Sequence, residues 1–237
     1  MMLKNFISCC VLGLGICTVC SCKEKAKEST AKTTKHNDSA RQETCAIINK
    51  MKLLHIALTN FRRDYAAFPC DKTAHRLQDR AGIFGELQGN TANCYFRQLF
   101  ARKNAVEEKD FYVNIGNEYR EGDDKIANGA CLEPGENMFA YVMRKPNTIG
   151  QQGTPAAMQP IINRDAPLLI YGIKHDGTTP IGGDNLEFEE DAIILYANGN
   201  IRTLHQGQDE QGTPIFPIKR STGQSSAADY VILPPAL

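Results

Sequence analysis

The 237-residue sequence predicts an α+β fold, with one long N-terminal spine helix packed on a small antiparallel sheet. Three observations predict it. Apolar residues recur at alternating spacings of four and three from Ile47 to Phe68, the repeat of one helical face. After Gly135 the periodicity turns strand-like. Asn198-Gly199 then sits between two short apolar runs, which is a hairpin signal.

The chain begins MMLKNFISCCVLGLGICTVCSC, which reads as a targeting segment. Lys4 is its positive end and Phe6 to Cys20 its apolar run, at about 15 residues too short to span a bilayer as a permanent helix. Val19-Cys20-Ser21-Cys22 resembles the lipobox of bacterial lipoproteins, in which the chain is cut before a diacylated cysteine. The expected organisation is therefore a signal peptide over 1–21, a lipidated Cys22 with a disordered tether over 22–43, and one folded domain over 44–237. The alternative is an ordinary secretory signal cut near the same place. Lys23 to Ala40 has no apolar residue larger than alanine, so it has nothing with which to build a core.

In the spine, Ile47, Met51, Leu54, Leu58, Phe61, Tyr65 and Phe68 form the stripe, widened by Ile48, Leu53, Ile56 and Ala57. Thr44 caps its start, and Pro69 disfavours helical geometry at Phe68. Ala74 to Phe84 offers a turn or two of helix before the glycines. Asn93 caps a second helix over Cys94 to Asn104, with Tyr95, Phe96, Leu99 and Phe100 on one side. Asp110 to Ile115 reads as a short extended piece, and Gly116 to Gly135 as polar loop. The strands expected are Met138–Arg144, Ala166–Lys174, Ile193–Tyr196 and Ile201–Leu204, the last two joined by a type I′ turn. Tyr230–Leu233 ends the chain as a final extended piece.

Lys plus Arg and Asp plus Glu both total 27, so net charge marks out no nucleic-acid partner. His36, His55, His75, His175 and His205 have no Cys, Ser or carboxylate partner at a catalytic spacing, and the chain is expected to be no enzyme. Cys45, Cys70, Cys94 and Cys131 remain after the signal, an even number at spacings of 25, 24 and 37 that fit no zinc pattern. They read as two disulfides. A helix from Cys45 to Phe68 holds Cys45 roughly 35 Å from Cys70, far beyond disulfide reach. Two connectivities remain: Cys70–Cys131 with Cys45–Cys94, the favoured one, or Cys70–Cys94 with Cys45–Cys131. Asp176, Asp184, Glu190 and Asp191 bracket Gly177, Gly182 and Gly183, oxygen ligands on a pliable turn of the kind calcium prefers. The plainer alternative for that loop is a solvated surface.

Ala57 to Pro69, ALTNFRRDYAAFP, resembles the end of the first helix of type IV pilins and type II secretion pseudopilins. His175 to Ile201 is similar to the pseudopilin segment in which a DGxxGG loop precedes an acidic strand. The arrangement, with YFRQLF and the NG hairpin, looks most like prepilin-like proteins of the Verrucomicrobia and Planctomycetes. The resemblance covers about residues 45 to 205. It implies a pseudopilin-like roll, and calcium near Asp176 and Asp191. The prepilin peptidase site and the apolar helix half that packs pilins into filaments are replaced here by the lipoprotein signal and charged tether. The function implied is that of a non-enzymatic envelope lipoprotein. It would be anchored by lipid to the membrane, the outer membrane on the Lys23 signal, with protein partners in a secretion or pilus-like assembly. The alternative is a freestanding surface lipoprotein that binds a soluble ligand or glycan.

Overall fold

The computed structural model describes residues 22–102, 105–115, 119–127, 129–145, 158–205 and 227–237, with backbone alone for 22–38, 190, 205 and 228. The signal expected over 1–21 lies outside the described residues. Two compact units divide the chain, Met1–Gln42 and Glu43–Leu237. Helix α1 spans Cys22–Tyr65, so it begins well before the Thr44 cap that the sequence suggested. The stretch read as a disordered tether is helical backbone. Its Lys, Glu and Ala residues are good helix formers, and helical propensity needs no core to express itself.

Within the larger unit, Ile47, Met51, Leu54, Leu58 and Phe61 of α1 are buried, as their spacing requires. The widening of the stripe holds only in part. Ala57 is buried, but Leu53 and Ile56 are 51% and 58% exposed. The helix stops at Tyr65, three residues before Phe68, because Ala66 turns left-handed at φ 62°. Arg76 Nη1 donates to the Tyr65 carbonyl at 3.1 Å, satisfying one of the acceptors that the helix end leaves open. Phe68 is buried beyond the helix, with Arg62 over its ring at 5.2 Å.

Short helices follow: α2 (Asp71–Arg76), α3 (Ala81–Phe84) and α4 (Ala92–Phe96). A 3-10 turn over Arg97–Ala101 continues α4, so the second helix ends earlier and more tightly wound than expected. Tyr95, Phe96, Leu99 and Phe100 are all buried there. The extended piece expected over 110–115 is instead entered through a 3-10 turn at Glu108–Phe111. Phe111 from that turn stacks on Phe100, their centroids 5.9 Å apart.

The sheet has six strands: β1 (Ala140–Arg144), β2 (Pro167–Ile173), β3 (Ile181–Gly182), β4 (Phe188–Tyr196), β5 (Ile201–His205) and β6 (Tyr230–Leu233). Their order is β3-β6-β1-β2-β4-β5, and every neighbouring pair is antiparallel. Ala140 to Met143 are each 0% exposed, so β1 is covered on both faces at the sheet centre. The tilted ring of Phe96 lies 5.3 Å from that of Tyr141, whose hydroxyl donates to the Pro69 carbonyl at 2.9 Å. The α1 stripe and the strand residues belong to one continuous apolar core.

The β4–β5 hairpin forms where Asn198-Gly199 predicts it, but its turn is not type I′. Only Gly199, at φ 90°, is left-handed, while type I′ requires positive φ at both central residues. Gly199 N–H donates to the Tyr196 carbonyl and Tyr196 N–H to the Asn200 carbonyl, the pattern of a three-residue loop. The tip rests on α1: a Cβ at Gly199 would lie 3.1 Å from His55 Cε1, and His55 Nε2 is 3.3 Å from the Ala197 carbonyl.

None of the expected disulfides is formed. Cys45 is an exposed thiol, and Cys70, Cys94 and Cys131 are buried thiols. Cys45 lies on the outer side of α1, away from the core that holds the other three. Thr73 Oγ1 lies 3.6 Å from Cys70 Sγ, and Thr91 Oγ1 3.5 Å from Cys94 Sγ. Burial pushes the Cys131 thiol up, and the charge of Glu108 adds to this. In a chain comprising residues 43–237, a thiol reagent should therefore modify Cys45 within minutes. The other three should react only after denaturation. Peptide mapping that finds Cys45 blocked, or all four equally reactive, would contradict this arrangement.

Candidate functional site

The residues singled out for calcium do not come together. Asp184 follows β3 and Asp191 lies in β4, and three strands, β6, β1 and β2, stand between those two in the sheet. At about 4.8 Å per strand, that is roughly 19 Å. Asp176 is engaged locally: its Oδ1 accepts the N–H groups of Thr178 and Thr179 at 2.9 and 2.7 Å. These bonds, with the Thr179 hydroxyl foremost, hold the Asp176 carboxyl well below the usual range. It is a turn-forming aspartate. The side chains of Cys22 and Glu190 are not among those described.

Among the described residues, one group of three acidic side chains does converge: Glu108, Asp123 and Glu136, with one oxygen from each lying within 4.8 Å of the others. Each comes from a different piece of irregular chain. Glu108 opens the 3-10 turn Glu108–Phe111, where the Asp110 carboxylate accepts the Glu107 N–H at 2.9 Å and fixes the entry. Asp123 lies in the segment 119–127. Glu136 closes the turn 131–136 that leads into β1, and its Oε2 accepts the Glu133 N–H at 2.7 Å.

The surrounding loops are held from below by the half-buried Arg97 and the buried Asn93. Arg97 Nε donates to the Cys131 carbonyl at 2.7 Å and its Nη2 to the Leu132 carbonyl at 3.1 Å. Asn93 Nδ2 donates to the Leu132 carbonyl at 3.0 Å, while its Oδ1 accepts from Asn137 Nδ2 and from the Ala236 N–H. The sequence suggested Asn93 as a helix cap. Thr91 occupies that position, and Asn93 is an interior hub instead.

Both glutamates are fully buried, whereas Asp123 remains partly open to solvent. Glu108 Oε1 accepts the Leu132 N–H at 2.9 Å, and Glu108 Oε2 is buried without a hydrogen-bond partner. Glu136 Oε1 lies 3.2 Å from Arg120 Nη2, within ion-pair distance but not aligned as a hydrogen bond. Burial raises the Glu136 carboxyl above the usual range. Glu108 adds to the rise, and the Glu133 amide and Arg120 oppose it. Lys125 bonds Asp123 through side chain and backbone and holds its carboxyl low. Gly122 packs directly on Glu108, where a Cβ would lie 2.3 Å from that of the glutamate.

An all-oxygen set of this kind suits a hard cation. The sequence held little signal for it. The three residues are separated by 15 and 13 positions. Asp123 sits in the stretch Gly116 to Gly135 that reads as polar loop, and Glu108 and Glu136 fall outside every element read from the sequence. Comparison with known proteins gives no match: no family model, no curated protein and no solved structure matches this chain.

Proposed function

We propose that the chain is a non-enzymatic envelope lipoprotein, held to the membrane by a lipidated Cys22. Its folded unit acts as a pilin-like scaffold and interaction module, accessory to a type II secretion or pilus-like assembly. One observation carries this reading. A long helix buries a single face in the core shared with a six-stranded antiparallel sheet, and leaves Leu53 and Ile56 on its other face exposed. Among the described residues no helix is long and apolar enough to cross a membrane. The proposed lipid anchor rests on the lipobox-like Val19-Cys20-Ser21-Cys22. A diacylated cysteine supplies two or more chains, enough for stable attachment where one would be marginal.

The test is fractionation with and without Cys22. Wild-type protein should incorporate a palmitate analogue, sediment with membranes, and carry other pilin-like subunits with it after detergent extraction. Cys22→Ala should lose the label and move to the soluble fraction. A wild-type protein that is unlabelled and soluble rules out the anchor. An anchored protein that brings down a soluble ligand or glycan but no assembly subunit rules out the scaffold role.

A further inference from the structure

We propose that Glu108, Asp123 and Glu136 bind one divalent cation of the calcium class. The ion would staple together the three irregular segments that precede β1. The proposal stands apart from the membrane anchor, and either can fail without the other. Its starting point is Glu108. This side chain is 0% exposed, one oxygen is satisfied by the Leu132 N–H, and the other is buried, without a partner, beside two more carboxylates. A buried bare carboxylate oxygen is costly and requires a proton or a cation. Among the described residues, two cations already reach the other members of the cluster and leave Glu108 bare. Arg120 Nη2 donates to Glu133 Oε2 at 2.7 Å, nearer than its 3.2 Å approach to Glu136, and Lys125 Nζ bonds Asp123 Oδ2 at 2.5 Å. Neither is paired with Glu108.

The spacing fits an ion. Calcium–oxygen bonds are about 2.4 Å, so two ligands on opposite sides of the ion stand about 4.8 Å apart. All three oxygens fall within that limit of one another, close enough for one ion to draw them into a shared shell. Calcium takes six to eight oxygens in loose geometry, and the open side at Asp123 admits water to complete the shell. Irregular loops supply that geometry more readily than the strict octahedron that magnesium demands. Gly122 belongs to the same construction. The absence of its side chain lets the Asp123 segment close onto Glu108, and Gly122→Ala would push the two apart.

The experiment uses the mature full-length chain, stripped with EDTA and titrated calorimetrically with calcium chloride and, separately, magnesium chloride. Tm is then recorded with calcium and with chelator. Calcium should bind at one site and raise Tm by about 5–10 °C at 100 times its dissociation constant, and magnesium should do less. Glu108→Gln keeps an acceptor for the Leu132 N–H but should abolish the shift. Asp123→Asn, at a solvent-facing position, should fold normally and weaken binding at least tenfold. Asp191→Asn should leave the shift intact. The proposal is overturned if wild type gives no binding heat and equal Tm values in calcium and chelator. It is equally overturned if the shift survives both Glu108→Gln and Asp123→Asn, or is lost in Asp191→Asn instead. A metal-independent rise in Tm in Glu108→Gln, with no calcium response in wild type, would assign the cluster to a shared proton.

Discussion

Gly172→Ala is expected to lower Tm by about 8–16 °C, because the centre of the sheet has no room for a side chain there. Gly172 lies in β2 at φ 78°, a region that costs an L-residue roughly 1–2 kcal/mol. A Cβ built at that position would lie 2.2 Å from the Asp191 carbonyl oxygen and 3.1 Å from the Ala192 Cα. Both neighbours are backbone of β4, so no side chain can rotate out of the way. The β2–β4 register already shifts between Tyr171 and Ile173, and the added methyl would have to spread two strands that the rest of the sheet holds in place. Backbone strain and lost pairing together amount to about 4 kcal/mol. For a unit of this size each kcal/mol moves Tm by roughly 2–4 °C. Scanning calorimetry decides it. A Tm within 2 °C of wild type would mean that β2 and β4 do not approach as described.

Asn93→Leu should cost about 3 kcal/mol in urea denaturation, although leucine fits the apolar pattern of α4 better than asparagine does. Asn93 is 1% exposed and holds four groups from three other parts of the chain: the Leu132 and Glu133 carbonyls, Asn137 Nδ2 and the Ala236 N–H. Leu132 keeps Arg97, and Asn137 keeps its bond to the Phe139 carbonyl. The Ala236 N–H and one Asn137 hydrogen lose their acceptor. A buried polar group without a partner costs about 1–3 kcal/mol, and two such groups outweigh the gain from a larger apolar side chain. A loss below about 1 kcal/mol would show that the chain end and the 132–137 turn are held by other contacts.

How much of this was legible in the sequence depended on whether the signal was local. The α1 stripe was legible because a 3.6-residue period records which face meets the core, and Ile47, Met51, Leu54, Leu58 and Phe61 are all buried. The bounds of β6 were legible too, Tyr230–Leu233 in both, because four apolar residues lie between polar and proline-bearing stretches. The exposure of Leu53 and Ile56 was not, since an apolar residue at the margin of a stripe is covered only if some other element reaches it.

What the sequence by itself determined, then, is the α+β class, the spine, the core strands and the hairpin at Asn198-Gly199. The tertiary structure alone decided the rest, because it depends on which distant segments close on one another. The insertion of β6 between β3 and β1 follows from no local pattern, and it is the strand order that separates Asp184 from Asp191. Glu108 and Glu136 look like solvated carboxylates until the 119–127 and 131–136 segments fold over them. The same holds for the cysteines: their even count of four suggested bonds, while the packing leaves Cys70, Cys94 and Cys131 as buried thiols and Cys45 as an exposed one. Periodicity encodes the burial of one face of an element. The partner of an individual polar group is encoded only in the closure of the whole chain.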